Sequence, residues 1–264
     1  MRAVRVRRPA VAGTFYPADP TELRAAVEAV LGDTAQTGPV PKAVIAPHAG
    51  YVYSGPIAGS AYVRVLPGRG RVARVVVLGP AHRTPDAGIA ASSADAFATP
   101  LGQLAVDTQT RDALVDARLI VVRDDAHAQE HSLEVQLPFV QVGLGGDVSV
   151  LPLAVGEVSP GHVAEVLDRV WGGEETLIVI SSDLSHYQDH ATARELDRRT
   201  AAAIVARRPD RLGRYDACGV IPVQGLLLSA ERHELDVELL DLRTSADTAG
   251  APDRVVGYGA FALA

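Results

Sequence analysis

Three apolar runs that each end just before a histidine constrain this chain more than any other feature of its sequence. The runs and their histidines are Val44 to Ala46 before His48, Arg74 to Leu78 before His82, and Leu177 to Ile180 before His186. Unbroken apolar runs of this length are typical of strands buried on both faces, as in parallel sheets covered by helices. Ligands of open α/β sheets bind beyond the carboxyl ends of the strands, so we expect the three histidines to meet in one site.

Helical patterns separate the apolar runs and favour an α/β fold. The clearest helix has Asp19 as its N-cap, Pro20 in its first turn and Gly32 at its end. Further helices are expected over residues 54–66, 106–114, 132–143, 159–171, 189–207 and 220–230, with Ser54 and Asp107 as caps and a kink or a late start at Pro138. Further strands are expected over residues 88–92, 119–122, 148–155, 234–244 and 254–262, the last two as antiparallel neighbours, with a loop over 34–41 and a connector over 97–102.

The composition excludes several classes of protein. The 264 residues show no repeat and no linker, so residues 1–264 are expected to form one domain. A net charge of −7 argues against nucleic-acid binding, and the basic stretch from Arg2 to Arg8 is expected to be a solvated arm. The aromatic pair Phe15 and Tyr16 is expected in the core. No apolar run is long enough to span a membrane and no signal-peptide pattern is present, so we expect a cytoplasmic protein without membrane partners.

The histidines and two other side chains have the chemistry of a metal site. Asp183 lies on the same strand end as His186, and Cys218 is the single cysteine of the chain, which excludes an internal disulfide. Imidazole suits zinc, copper and iron, and two histidines with one anionic ligand leave open coordination positions. Cys218 precedes a predicted helix, whose N-terminus favours the thiolate, so this residue is a candidate ligand or nucleophile, or simply a small buried residue.

Two other enzyme classes have partial support from the sequence. His127-Ala128-Gln129-Glu130-His131 matches the H-x-x-E-H pattern of inverted zinc proteases, but that pattern leaves the three strand-end histidines unexplained. A hydrolase that uses Cys218 and His186 is a further alternative, although no oxyanion hole or orienting third residue is evident.

Five motifs follow one another along the chain: Ala46-Pro47-His48-Ala49-Gly50-Tyr51, Leu78-Gly79-Pro80-Ala81-His82, Glu130-His131-Ser132-Leu133-Glu134, Ser181-Ser182-Asp183-Leu184-Ser185-His186-Tyr187 and Ala217-Cys218-Gly219. In this order they resemble the motifs of the Memo family, whose prokaryotic members are called AmmeMemoRadiSam system protein B. The resemblance extends from the Ala12 to Pro17 arm to Gly259. It implies a single three-layer α/β domain similar to the class III extradiol dioxygenases, with a central mixed, largely parallel sheet and helices on both faces.

The resemblance also implies roles for individual residues. The metal positions correspond to His48, His82 and Cys218, and iron or copper is the expected metal, with zinc as a further candidate. His186, Asp183 and His131 correspond to catalytic positions beside the metal, and Glu134 and Tyr51 to positions in or near the cleft. The dioxygenases use a glutamate where this chain has Cys218, which argues against ring cleavage.

Two functions follow from the resemblance. The first is a metal-dependent redox enzyme in which His186 is an acid-base or oxyanion partner oriented by Asp183. The second is a non-catalytic module that binds a small molecule, a peptide or a protein, with an AMMECR-type protein and a radical SAM protein as expected partners. A shared fold does not by itself transfer a reaction, so the site has to distinguish between these functions.

Overall fold

A computed structural model describes residues 4–32, 39–145 and 147–264 of the chain. The loop expected over residues 34–41 therefore lies largely outside the described residues, as does Arg2 at the start of the basic stretch.

A mixed sheet forms the centre of the fold. In the described residues it has nine strands in the order β10-β12-β2-β9-β3-β8-β4-β7, with β11 paired to β12. The four strands β2, β9, β3 and β8 run parallel to one another, and antiparallel strands extend the sheet on both sides. The strands of this sheet are β2 Ala43–Ala46, β3 Arg74–Pro80, β4 Ile89–Ala91, β7 Val121–Val122, β8 Ser149–Val155, β9 Thr176–Ser181, β10 His186–Gln188, β11 Val237–Thr244 and β12 Val255–Leu263.

Helices cover both faces of the sheet, which confirms the predicted three-layer α/β architecture. The helices are α1 Pro20–Leu31, α2 Tyr51–Val63, α3 Thr108–Asp116, α4 Asp125–Ala128, α5 Leu137–Leu144, α6 Pro160–Val170, α7 His190–Val205 and α8 Val220–Arg232. Side chains alternate along a strand, so Val75 and Val77 pack in one core with α1, α2 and α5, while Val76 and Leu78 pack in a second core with α6, α7 and α8. Both faces of the central strands are thus apolar, as their unbroken runs indicate.

Most predicted elements are confirmed within a few residues. Asp19 caps α1, because its side chain accepts hydrogen bonds from the backbone N–H groups of Thr21 and Glu22 at 2.8 and 3.0 Å. The late start at Pro138 is confirmed too, since this proline lies in the first turn of α5. The strands β11 and β12 are antiparallel neighbours, as expected.

Two local predictions are wrong. Helix α2 begins at Tyr51 rather than after Ser54, because the buried Tyr51 hydroxyl donates to the Val135 carbonyl at 2.8 Å, and the Ser54 hydroxyl donates back to Ala49 instead of capping. The connector expected over residues 97–102 belongs to a hairpin, β5 Ala96–Thr99 and β6 Gly102–Ala105. With β1 Val6–Arg7 this hairpin forms a small three-stranded sheet.

No helix among the described residues is long and apolar enough to cross a membrane. The assignment of residues 1–264 to one domain stays a prediction.

Candidate metal centre

The carboxyl ends of β2 and β3, two parallel strands separated by β9, and the start of a helix bring three ligand-type side chains together. His48 follows β2, His82 follows β3, and Cys218 lies just ahead of α8. One ligand atom from each of these residues lies within 4.8 Å of the others. The structure therefore contains a possible metal-binding triad at the edge of the sheet where the sequence predicted a site.

The hydrogen bonds of Ser181 determine which nitrogen of His48 is available. The Ser181 hydroxyl donates its one proton to the Ser132 carbonyl at 2.6 Å, and it accepts the Gln136 side-chain N–H at 2.8 Å. It can only accept from His48 Nδ1, 2.9 Å away, so that nitrogen carries the proton. The lone pair of His48 Nε2 is therefore free and points at the Cys218 sulfur, 3.3 Å away.

The buried carboxylate of Glu130 determines which ring nitrogen of His82 is available. Glu130 Oε1 lies 2.9 Å from His82 Nδ1, and Glu130 Oε2 accepts the His82 backbone N–H at 2.7 Å. Burial alone would raise the pKa of Glu130, but hydrogen bonds from His82 and the Ser132 backbone outweigh it and lower that pKa to about 2. An ionised Glu130 accepts the Nδ1 proton, which leaves Nε2 of His82 as the free nitrogen. Carboxylate–histidine–metal arrangements have this geometry.

Cys218 is held close to the end of β9. Its backbone N–H donates to the Asp183 carbonyl at 3.2 Å, and its sulfur accepts the Asp183 backbone N–H at 3.3 Å. A Cβ on the neighbouring Gly219 would lie 2.8 Å from the Ser182 side chain, so only glycine allows this close approach. Burial raises the pKa of the Cys218 thiol and the charge of Asp183 raises it further, so both effects oppose the thiolate that the helix N-terminus favours.

Two imidazoles of the site, those of His48 and His131, have pKa values lowered from the usual value, which favours their neutral form. Burial lowers the pKa of His48 well below its usual value, and the neighbouring His82 and His131 lower it further. Burial likewise lowers the pKa of His131. The rings of His82 and His131 stack with their centroids 4.6 Å apart. Neutral imidazoles are what a metal requires as ligands, because protonation removes the lone pair.

The triad opens into a cleft of about 1050 Å³. His131, Asp183 and His186 line this cleft together with the triad. Burial raises the pKa of Asp183, whose Oδ1 accepts the backbone N–H of His48 at 2.7 Å. His186 Nδ1 lies 2.8 Å from the Leu184 carbonyl, which can only accept, so Nδ1 carries the proton and Nε2 is free.

Glu134 and Tyr51 do not line the cleft. Both lie behind its wall, where Glu134 is fully buried and forms an ion pair with Arg7. Glu134 also accepts the backbone N–H groups of Ala10 and Val11 and the Tyr16 hydroxyl, at 2.7, 3.0 and 2.5 Å. Glu134 thus anchors the N-terminal arm.

The arm itself differs from the expectation in two respects. Arg7 is buried in its ion pair rather than solvated, although Arg5 and Arg8 are exposed. Tyr16 lies in the core as expected, but Phe15 lines the cleft, where its ring packs on His131 with centroids 4.7 Å apart.

The protease and hydrolase alternatives have no geometric support. His127 lies on the short helix α4 and donates from Nε2 to the Ala90 carbonyl at 2.8 Å, away from the triad, while His131 lies beyond the helix end. The inverted zinc protease pattern needs both histidines on one helical face. Cys218 contacts His48 rather than His186.

The sequence did not indicate the roles of Glu130 and Ser181, the two residues that orient His82 and His48. Glu130 belongs to the protease pattern and to one of the family motifs, but neither assigns it an orienting role, although a glutamate beside His131 is a signal for a carboxylate near a histidine cluster. Ser181 is the last residue of β9, and nothing in its sequence context indicated that its hydroxyl would meet a histidine on another strand.

The sequence matches the family described as Memo-like protein over residues 7–262. The chain is 38% identical to a MEMO1 family protein of Methanopyrus kandleri, with 97% of this chain and 98% of the relative covered. It is 37% identical to a MEMO1 family protein of Aquifex aeolicus, over 97% of this chain and 98% of the relative. A MEMO1 family protein of Saccharolobus solfataricus is 31% identical to this chain, with 96% of this chain and 97% of the relative covered.

Proposed function

The chain belongs to the Memo family, and we propose that it is a metal-dependent redox protein whose His48, His82 and Cys218 hold iron or copper. The observation that carries the proposal is the triad, whose ligand atoms lie within 4.8 Å of one another. The hydrogen bonds of Ser181 and Glu130 support it, because they leave one imidazole nitrogen of each histidine free.

The donor set fits a redox-active transition metal. Imidazole suits iron, copper and zinc, and a thiolate favours softer ions such as copper(I) or zinc. Three protein ligands leave coordination positions open to the cleft, as a catalytic site requires. A bound iron or copper ion would supply electron exchange with a ligand in the cleft.

The residues around the triad have separate tasks in this proposal. His48 and His82 would bind the metal through Nε2. Cys218 would bind it as a thiolate, with its proton released to solvent in the cleft, because the charge of the metal would offset the cost of burying that thiolate. His186 accepts or returns a proton at Nε2 in the cleft, and Asp183 keeps the His48 loop in place through its hydrogen bond to the backbone N–H. His131, stacked on His82, closes the site on the side of Phe15.

Metal analysis after anaerobic purification tests the proposal. Wild-type protein should retain close to one equivalent of iron or copper, and His48→Ala, His82→Ala and Cys218→Ser should each lose most of it. His233→Ala is the matched control, because His233 stacks on Trp171 outside the cleft and its variant should keep the metal. No tight binding of iron or copper by the wild-type protein would refute the proposal.

The rim of the cleft favours one further candidate, the binding module. Three tyrosines that line the cleft, Tyr53, Tyr187 and Tyr215, are 40%, 64% and 88% exposed, and exposed tyrosines are frequent in protein interfaces. Copurification with the AMMECR-type or radical SAM protein that persists in Cys218→Ser would favour this function.

Ring cleavage is tested by a catechol panel on Fe(II)-loaded protein exposed to oxygen, and colourless reactions would exclude it.

A further inference from the structure

An arginine lines the wall of the metal cleft. The Arg254 guanidinium lies over the Tyr187 ring, 4.5 Å from its centroid, and both residues line the cleft. No carboxylate in the part of the chain that the structure describes forms an ion pair with Arg254. A guanidinium held over an aromatic face keeps its planar N–H donors free for a carboxylate or a phosphate.

The backbone under Tyr187 is strained in a way that serves this arrangement. Tyr187 has a φ of 62°, which bulky residues rarely adopt. It lies at an irregularity in the pairing of β10 with β12, between His186 and Gln188. Strained residues of this kind concentrate at ligand sites, where the surrounding structure maintains them. The irregularity carries the Tyr187 ring to the start of β12, beside Arg254.

The other charged groups of the cleft are already engaged. The Arg214 guanidinium pairs with Glu157 at 3.3 Å. Asp183 accepts the His48 backbone N–H, and Asp216 accepts the Gly213 backbone N–H at 2.7 Å. The chain as a whole has a net charge of −7, which repels anions. Among the described residues that line this cleft, Arg254 is therefore the arginine that no carboxylate neutralises.

We propose that Arg254, held by Tyr187, binds the anionic group of a small organic ligand, a carboxylate or a phosphate, whose remainder occupies the metal cleft. The inference rests on the proposed function in one respect, namely that the ligand lies beside a metal held by His48, His82 and Cys218. Arg254 thus acts as a specificity residue, which selects anionic ligands over neutral or cationic ones.

The single cysteine makes a test possible without any metal. Cys218 lines the same cleft, so a methanethiosulfonate reagent added to metal-free protein reports access to the cleft through its rate of labelling. The probes are the anionic sulfonatoethyl reagent and the cationic trimethylammonioethyl reagent. The ratio of their two rates cancels the thiolate fraction of Cys218, so it measures the preference of the cleft for an anion.

Arg254→Gln should lower the anion-to-cation rate ratio about threefold or more at low ionic strength, an effect that salt screens. Tyr187→Leu should lower it too, whereas Tyr187→Phe, which keeps the ring, should match the wild type. Arg214→Gln is the matched control from the same cleft, and its smaller effect is expected because Glu157 already neutralises Arg214.

An unchanged ratio in Arg254→Gln, or an equal fall in Arg214→Gln, would overturn the assignment. Protection of Cys218 from the anionic reagent by acetate or by methyl phosphate, beyond that by chloride at equal ionic strength, identifies the source of the anionic group. Because these measurements use metal-free protein, failure of the metal proposal and failure of anion recognition are separate results.

Discussion

Glu130 and Glu134 are buried carboxylates four residues apart, yet they serve different regions of the molecule. Glu130 contacts the cleft residue His82, whose ring and backbone N–H it binds, and also accepts hydrogen bonds from the backbone N–H groups of His131 and Ser132. Glu134 faces away from it and accepts from the N-terminal arm. The difference shows that burial of a carboxylate says little about its role until its donors are known.

Arg7 connects the two regions. Its guanidinium forms the ion pair with Glu134 and also donates to the backbone carbonyls of His127 and Glu130, the latter at 2.7 Å. The arm in turn carries Phe15 to the ring of His131. The carboxylate that anchors the arm thus supports the site from behind, and the one that orients His82 acts on it directly.

The largest effect is expected for Glu134→Ala. Arg7 would keep a buried charge without its partner, and such a loss costs about 3–5 kcal/mol. Urea unfolding measures it, with Glu238→Ala as a control, because the exposed pair of Glu238 with Arg64 is worth only about 0–1 kcal/mol. If Glu134→Ala unfolds at the wild-type urea concentration, the anchor role is wrong.

The second-largest effect is expected at low pH, where Glu130 should lose its contribution to the free energy of unfolding. The pKa of Glu130 is about 2 in the folded protein and 4.5 ordinarily, so its ionised form contributes stability above pH 4.5 that is lost as the pH falls through this window. A shift of this size corresponds to about 3 kcal/mol. The gap in unfolding free energy between wild type and Glu130→Gln should therefore shrink as the pH falls from 4.5 towards 2, and a constant gap would contradict the ionised carboxylate.

Glu130→Gln should also reduce metal affinity, by about 10- to 100-fold, as is usual for residues that orient a metal-bound histidine. The amide no longer holds the His82 Nδ1 proton as a carboxylate does. Chelator competition measures the affinity, and the same assay on Glu134→Ala, under conditions where it is folded, should show a much smaller change. Equal losses in both variants would erase the distinction between the two carboxylates.

The smallest effect is expected for Tyr16→Phe. It removes one of the donors to Glu134, a hydrogen bond of 2.5 Å, while the ring remains in the core. We expect a loss of about 1.5 kcal/mol in urea unfolding, the low end for a hydrogen bond to a charged group, because Arg7 and the backbone N–H groups of Ala10 and Val11 still donate to Glu134. Metal affinity should stay at the wild-type value, and a clear drop would mean that the arm acts on the triad itself.

The strands and their histidines were predictable from local sequence. Val44 to Ala46 before His48 and Val75 to Leu78 before His82 are apolar at every position because both faces of a central parallel strand are covered, and this pattern can be recognised without knowledge of the neighbouring strands. The family motifs extended the prediction to Cys218. Helix α7 shows the limit of such reasoning, because its apolar Leu196 is only half-buried while a charged neighbour is buried. The neighbouring Asp197 is 1% exposed and accepts the Ser185 backbone N–H at 3.0 Å.

The sequence by itself thus determined the α/β architecture, the edge of the sheet that carries the site and the residue types that could bind a metal. Only the tertiary structure decided which polar groups meet. Glu130 and Glu134 are the same residue type in one short segment, and Ser181 is one of three serines near the end of β9. Their partners come from Arg7, His48 and His82, which are distant along the chain, so the hydrogen bonds that give each residue its role exist only after folding.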